Sequence, residues 1–545
     1  MTQETKQTMT DYAIVGGGAA GCLLAERLSR DPACQVTLLE AGAADTSPLI
    51  HIPAGILALM RSKRLNWALY TESQKELNQR RLFWPRGKTL GGSSSINAMC
   101  YTRGQPEDFD LWAESFSGVG QHGWHYRGLL PHFKAMEDFE AGANPWHGEG
   151  GELSVQSLRS FNPLSEAYLR AGQQLGLPLN HDFNGQDQWG IGPYQVMQRD
   201  GSRCSSAKAF LDPARERSNL TVITKAQVQR LKLRNNRVCG VHYQVAGQEL
   251  YLPVSGEVIL SAGALHTPQL LMVSGIGPEE ELGRQGIPLR HQLEGVGRNL
   301  QDHLDISVSW LEKGCRGISL NPLFWPRGIK GMLDYPKRKG VLTSNFAEAG
   351  AFVATDPDQS RPDVQHHFLP ALEVDHGLNL TPTIRHFGYT LRACLLRPKS
   401  RGYVGLRSDR PQDAPLLQPN YLSDAEGEDL KGMVRALDSA RELLNQPVIS
   451  RLGQAEWRPG KGCHTQAEKE AYIRQYAESI YHPVGTCRMG DGDDAVVDQQ
   501  LRVHGMENLR VVDASVMPNL VSGNTTAATL AIASKAAELI LRPLV

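Results

Sequence analysis

The sequence predicts an α/β protein of two domains, one doubly wound and Rossmann-like, the other built around a more antiparallel sheet. Three observations predict it. A short apolar run at 12–15 ends in Gly16-Gly17-Gly18-Ala19-Ala20-Gly21. A second apolar run at 35–39 ends in Glu40. Across 307–474 prolines and aromatics increase, and strand-like runs at 364–369 and 389–396 alternate with polar turns.

The run at 12–15 suits a strand buried on both faces. Residues 21–28 carry apolar side chains at helical spacing, and 35–39 returns to strand. This is the βαβ pattern of a doubly wound sheet. Gly16-x-Gly18-x-x-Gly21 follows a strand and opens a helix, which is the context a dinucleotide site requires. The first glycine makes the tight turn. The second admits a pyrophosphate to the helix N-terminus, where free N–H groups and the dipole favour anions. The third lets helix pack closely on strand. Glu40 closes the second strand, where a carboxylate bonds ribose hydroxyls and its charge opposes a 2′-phosphate. NADP is therefore disfavoured, while the motif leaves FAD and NAD both open.

A Gly/Ser-rich stretch at 86–97 has the small residues that let backbone approach a ligand. The segment 142–151, with Trp146-His147-Gly148, suits a lid as well as it suits an ordinary connection. Further strands are expected at 220–223 and 257–260, the latter running into a glycine turn at Gly263. The C-terminal part returns to α/β character. No internal repeat or low-complexity segment is evident.

The 545 residues are too many for one ordinary core. A formal net charge of −1 gives no long-range field, so a nucleic-acid partner is not expected. Nine scattered cysteines without a C-x-x-C pair point to reduced thiols in the cytoplasm. No His/Cys/Asp grouping has metal-ligand spacing, so no metal is expected. The polar start, Met1 to Thr10, lacks an apolar region, so no secretory signal is expected. No apolar run approaches about 18 residues, so no membrane span is expected.

Three blocks resemble the glucose–methanol–choline oxidoreductase family. Gly87-Lys88-Thr89-Leu90-Gly91-Gly92-Ser93-Ser94-Ser95-Ile96-Asn97 looks like its first signature, and the run from Gly263-Ala264-Leu265-His266-Thr267-Pro268 to Gly277 like its second. The blocks around His482, Asp513 and Asn524 resemble its catalytic region. The likeness runs from about residue 11 to 542. Within the family, Phe83-Trp84-Pro85-Arg86-Gly87-Lys88 and the run from Ile480 to Gly490 look most like bacterial alcohol dehydrogenases, with choline dehydrogenases close by.

The resemblance implies a discontinuous FAD-binding domain, residues 9–155, 200–306 and 475–545. It also implies a substrate domain, 156–199 and 307–474, whose antiparallel sheet lies over the flavin. The implied flavin contacts are Gly16, Gly18, Gly21, Glu40, Arg86, Gly92, Asn97, Val228, Asp513, Ala514, Asn524 and Thr525. Some relatives attach FAD through a histidine in the first signature; Ile96 stands at that place, so FAD is expected to be noncovalent.

Taking hydride from an alcohol carbon requires the hydroxyl proton to leave, and a neutral imidazole is a natural base. On the residues alone His482-Pro483 is most often a turn. By resemblance His482 is the base, with hydride passing to flavin N5. Asn524 is then its partner, its amide stabilising developing charge on the substrate oxygen. An N-cap role for Asn524 stays open beside this one. Cys487 is close to His482, but its neighbours read as a packed turn rather than a nucleophile's setting. In Gln365-His366-His367, one histidine is expected to face the substrate and the other the far side, His367 being the substrate candidate. Glu348 matches a segment where choline-acting relatives place a glutamate.

These readings give oxidation of a primary alcohol to an aldehyde, with electrons passed to a quinone or other acceptor. An oxidase releasing hydrogen peroxide, a choline dehydrogenase and a non-redox hydroxynitrile lyase remain alternatives. So does a flavin-binding protein without catalysis. The interleaved aromatics and cations at 324–339 suit either a peripheral contact with the inner membrane or a solvated loop.

Overall fold

The fold is given by a computed structural model that describes residues 9–117, 123–356 and 358–541. Most of the polar start, residues 1–8, lies outside the described residues.

The strand Thr10–Val15 pairs in parallel with Val36–Glu40 and with the C-terminal half of Gln248–Leu260. Leu220–Thr224 and Leu509–Val511 extend the parallel sheet on its two sides. A meander of Ala226–Arg234, Arg237–Val245 and the first half of Gln248–Leu260 completes a seven-stranded sheet. All five residues of Val36–Glu40 are buried, as befits a parallel strand covered on both faces. The helices Ala19–Leu28 and Thr525–Leu541 pack against one another here. Alanines 527, 528, 531, 533, 536 and 537 of the second helix are all buried, and their small side chains let the helices approach closely.

The second sheet is antiparallel and also has seven strands. Its order is Gly453–Arg458, Leu304–Glu312, Gly388–Leu395, Val364–Leu369, Ala349–Val353 and Gly190–Pro193, with Glu478–Ser479 pairing to Leu304–Glu312. The helices Pro163–Gln174 and Glu428–Leu444 pack on it from behind. Leu304–Glu312 runs through position 306, and Glu478–Ser479 belongs to this sheet.

Alternation along these strands decides what faces the cofactor side. His367 is in register with Arg392 and Gly350, and all three lie in the middle of the sheet. His366 turns to the back, where its Nε2 lies 3.0 Å from Ser439 Oγ of the helix Glu428–Leu444.

The segment 142–151 is fixed rather than lid-like. His147 is fully buried, stacked on Phe139, with Nδ1 2.9 Å from Glu137 and Nε2 3.1 Å from Asp182. Arg103 closes that network at 2.8 Å from Glu137. Sequence composition resembles a lid here because the buried charges that pin the loop come from other segments.

Candidate active site

Two adjoining cavities are present, the first against the parallel sheet and the second against the antiparallel one. The first, of about 210 Å3, is lined by Gly16, Gly18, Glu40, Arg86, Gly92, Val228, Asp513, Ala514 and Thr525. The second, of about 420 Å3, is lined by His482, Asn524, His367 and Asn97 within a largely aliphatic wall. Arg86, Ser93, Thr525 and Thr526 line both. The helix Thr525–Leu541 thus aims its N-terminus at the junction, where its dipole favours negative charge.

The first cavity fits a dinucleotide by its glycines. Gly16 holds φ at +107°, and a Cβ there would lie 2.5 Å from Ser261 O. A Cβ on Gly18 would meet nothing closer than 3.8 Å, because that face opens to the cavity. Gly21 does not line the cavity. Its Cβ would fall 1.9 Å from Gly16 O, so this glycine is required for helix-on-strand packing.

Glu40 is buried, not a solvated strand end. It accepts the backbone N–H of Gly17 at 2.8 Å and of Gly42 at 2.6 Å. Burial pushes its carboxyl up to about 7. Asp513 likewise accepts from Gly263 N at 2.9 Å, Thr267 Oγ1 at 2.6 Å and Ser515 N at 2.8 Å, joining the glycine turn at Gly263 to the last strand. Ile96 is hydrocarbon and lines the second cavity, so it offers no atom for a bond to a flavin ring.

His482 sits in a turn made for it. Tyr481 before it holds φ at +69°, unusual for a bulky residue and the kind of conformation concentrated at functional sites. Pro483 follows and restricts the backbone of His482. The His482 N–H donates to Asp302 Oδ1 at 2.7 Å, and Arg86 Nη2 donates to Tyr481 O at 2.6 Å. Burial, reinforced by nearby positive groups, holds the His482 imidazole well below its ordinary range, so it is neutral at pH 7. Its ring nitrogens lie 2.9 Å from His303 Nδ1 and 3.2 Å from Asn524 Nδ2. The Asn524 side chain is turned to His482, Thr102 and Gln365 rather than to its own helix N-terminus.

His367 faces the second cavity, as its alternation with His366 requires, and neither of its ring nitrogens has a protein partner. Glu348 does not face the cavity. Its carboxylate accepts from Asn162 N, Ser165 Oγ and Ser344 Oγ, each at 2.7 Å, and it ties the strand Ala349–Val353 to the helix Pro163–Gln174. The substrate role expected for Glu348 is corrected on that ground: Asn345, Phe346 and Ala347 reach the cavity, and the next side chain turns away. Asn97 lies on the second cavity, its Nδ2 3.3 Å from Thr526 Oγ1. Cys487 is fully buried, and burial holds its thiol well above the ordinary range, so it carries no thiolate.

Sequence reasoning missed the polar end of the second cavity, where Glu373, His376, Arg392 and Tyr481 meet. Ligand-type atoms of Glu373, His376 and Glu478 lie within 4.8 Å of one another although no sequence spacing announces them. Arg392 already places its cation there. It donates to Glu373 at 2.7 Å and to Asp305 at 2.8 Å, and lies 3.6 Å from Glu478. His303 was missed as well. Its signal is the polar run Gln301-Asp302-His303 standing directly before a buried apolar strand.

Comparison with known proteins agrees with this geometry. The GMC oxidoreductase N-terminal model matches residues 10–305 and the C-terminal model residues 398–533. The chain belongs to the GMC oxidoreductase family. It is 49% identical to an alcohol dehydrogenase [acceptor] of Pseudomonas putida, over 98% of this chain and 96% of that protein. It is 42% identical to the mitochondrial choline dehydrogenase of Homo sapiens, over 97% and 89%. The crystal structure of pyridoxine 4-oxidase from Mesorbium loti superposes with a TM-score of 0.87 at 34% identity, covering 97% of this chain and 98% of that one. This GMC oxidoreductase is an FAD-dependent flavoenzyme, and the glycine turn at Gly16 and Gly18 lines the first cavity.

Proposed function

We propose that this GMC oxidoreductase oxidises primary aliphatic alcohols to aldehydes, with His482 as base. One observation carries the reading: a neutral imidazole and a carboxamide meet at 3.2 Å on the wall of an apolar cavity that adjoins the dinucleotide site. Bound FAD supplies the hydride acceptor. Gly16, Gly18, Glu40, Asp513 and Ala514 would hold its phosphates and ribose, and Val228 its adenosine end. Arg86, Gly92, Asn97 and Thr525 would border its ring. His482 takes the hydroxyl proton, Asn524 donates to the same oxygen as charge grows, and the helix N-terminus at Thr525 favours an anion beside it. His367 offers a further contact to the substrate.

The cavity wall selects the alcohol. Ile56, Leu57, Met60, Ile318, Leu342 and Leu380 dominate it. A quaternary ammonium needs aromatic faces and a free carboxylate. Here Arg392 occupies Asp305 and Glu373, and Glu348 points elsewhere. We therefore expect kcat/KM to rise about threefold to fourfold per added methylene along a series of primary n-alcohols, from about 0.8 kcal/mol per buried CH2. Choline should remain a poor substrate. A flat series, or choline as the best substrate, sinks this assignment.

The deciding experiment is an anaerobic alcohol panel read at the yellow flavin band, followed by oxygen or a quinone analogue. Bleaching by alcohols excludes a non-redox lyase. Reoxidation by the quinone analogue, but slowly by oxygen, is the expected result; fast hydrogen peroxide release makes the enzyme an oxidase.

A bilayer contact is supported by the helix Trp325–Asp334. Trp325, Ile329, Met332 and Leu333 share one side of it and are 53–72% exposed. Its inner side is thin: Gly331 is buried against Val341, and Phe324 and Gly328 border the second cavity. Arg327, Lys330, Lys337, Arg338 and Lys339 flank the apolar side, with Asp334 as the one acid in the stretch. Such a helix lies in a bilayer interface, and its cations favour anionic lipid. No helix among the described residues is long and apolar enough to cross a membrane. The enzyme should float with anionic vesicles and stay down with neutral ones, and I329E/L333E should abolish flotation while retaining turnover of short alcohols. Equal behaviour of the double variant and the parent would remove the helix from this role.

A further inference from the structure

The hydrogen bonds around His482 form one chain whose two ends are backbone carbonyls, and this fixes every proton along it. At one end, His303 Nε2 lies 3.0 Å from Leu396 O. A carbonyl only accepts, so His303 carries its proton on Nε2. Its Nδ1 is then bare, and that atom lies 2.9 Å from His482 Nδ1. Two bare nitrogens do not hydrogen-bond, so His482 carries its proton on Nδ1. Burial keeps His303 neutral, its value pushed down to about 4.

The other end gives the same answer independently. The Tyr194 hydroxyl lies 2.6 Å from His366 O and must donate to it. Tyr194 Oη then accepts at 2.9 Å from Gln365, so the amide NH2 of Gln365 faces inward. That NH2 also reaches Asn524 Oδ1 at 3.2 Å. Thr102 Oγ1 accepts the Asn524 backbone N–H at 2.7 Å and turns its own proton to Asn524 Oδ1 at 3.1 Å. With two donors on its oxygen, Asn524 must present its NH2 to His482 Nε2, 3.2 Å away. Nε2 is therefore an acceptor. Both ends leave the same nitrogen of His482 without a proton, and it is the nitrogen on the cavity side.

We propose that His303 and Gln365 are positioning residues: His303 locks the His482 proton on Nδ1 so that Nε2 faces the substrate bare, and Gln365 holds the Asn524 carboxamide with its NH2 toward that same point. A base with its proton on the wrong nitrogen cannot accept the hydroxyl proton, however well it is placed. Neither residue need touch substrate. Leu396, whose carbonyl anchors one end, directly follows the strand Gly388–Leu395, and His366, whose carbonyl anchors the other, lies within the neighbouring strand Val364–Leu369, so the sheet itself sets the tautomer.

The inference rests on His482 being the base, and the test separates the two. Holoenzyme labelled with 15N-histidine is examined by NMR near neutral pH, the His482 signals being assigned with H482Q. The expected spectrum shows a protonated Nδ1 and a bare Nε2; the reverse overturns the proposal whatever the variants do. H303L, which cannot accept a hydrogen bond, leaves Asn524 alone to hold the tautomer and should slow anaerobic flavin reduction on the order of 10-fold while KM changes little, because the ring then spends part of its time with the proton on Nε2. H303N places an oxygen acceptor near the same position and should recover most of the rate. Q365E cannot donate to Asn524 and should slow reduction in the same way, with the visible flavin spectrum unchanged. Wild-type rates in both H303L and Q365E overturn the proposal and leave His482 as base untouched. A wild-type rate in H482A ends both.

Discussion

Replacing His482 with alanine should slow flavin reduction by alcohol about 10²- to 10⁴-fold, the share of a barrier that a positioned general base removes. The imidazole borders a cavity and is already neutral, so its loss strands no buried charge. The His482 side chain pairs with His303 and Asn524, and each of those retains a backbone or side-chain partner of its own: Leu396 O for the first, Thr102 and Gln365 for the second. The variant should therefore fold, keep its yellow colour and keep its affinity for FAD. The measurement is stopped-flow bleaching under argon, with the bound-flavin spectrum as control. Reduction at the parent rate removes the central assignment. A colourless variant instead shows that His482 holds the cofactor, a role its position on the second cavity does not suggest.

How far the sequence alone reaches can be traced residue by residue. The strand–glycine–helix start at Thr10–Val15 and Ala19–Leu28 is local: turn chemistry, apolar runs and the Gly16/Gly18/Gly21 spacing all sit within about one βαβ unit. The strands Val364–Leu369 and Gly388–Leu395 are legible for the same reason, and alternation even separates His366 from His367. Glu348 stands in a segment where choline-acting relatives place a glutamate, and that likeness does not say which way the side chain turns. Its three donors come from positions 162, 165 and 344, and nothing local announces the first two. The polar end of the cavity was illegible on similar grounds. Asp305, Glu373, Arg392 and Glu478 belong to four separate segments; strand register gathers Asp305, Arg392 and Glu478, and Glu373 joins them from the connection after Val364–Leu369. The lid-like composition of 142–151 failed as a signal because Glu137 and Asp182, which pin His147, lie outside it.

The same burial that keeps His482 a base should make the enzyme sensitive to acid. His132, His266 and His303 are held down to about 4, and His366 and His367 to about 3. His376 and His482 lie well below the ordinary imidazole range, and burial is the main cause in all seven. Unfolding releases these rings to water, where they titrate near 6.5. As pH falls through 6.5 the unfolded chain takes up protons that the folded one refuses, so stability falls. Buried carboxyls work in the opposite direction: Asp302 is raised to about 6, Glu40 to about 7 and Glu478 to about 8, and burial raises Glu348, Glu373 and Asp513 as well. These hold protons to higher pH in the fold than in the unfolded chain. They offset part of the histidine contribution until the unfolded chain protonates its own carboxyls at about pH 4. Each proton by which the histidines outweigh the carboxyls costs about 1.4 kcal/mol per pH unit, a sizeable share of the stability of many domains. Thermal midpoints of the holoenzyme should therefore be level above pH 7 and fall as pH drops below 6.5. H366L, away from the catalytic face, should lessen the slope by about one proton's share. Midpoints that hold level to pH 5 would show that these histidines are solvated or charged in the fold, and with them would go the case for a neutral imidazole at position 482.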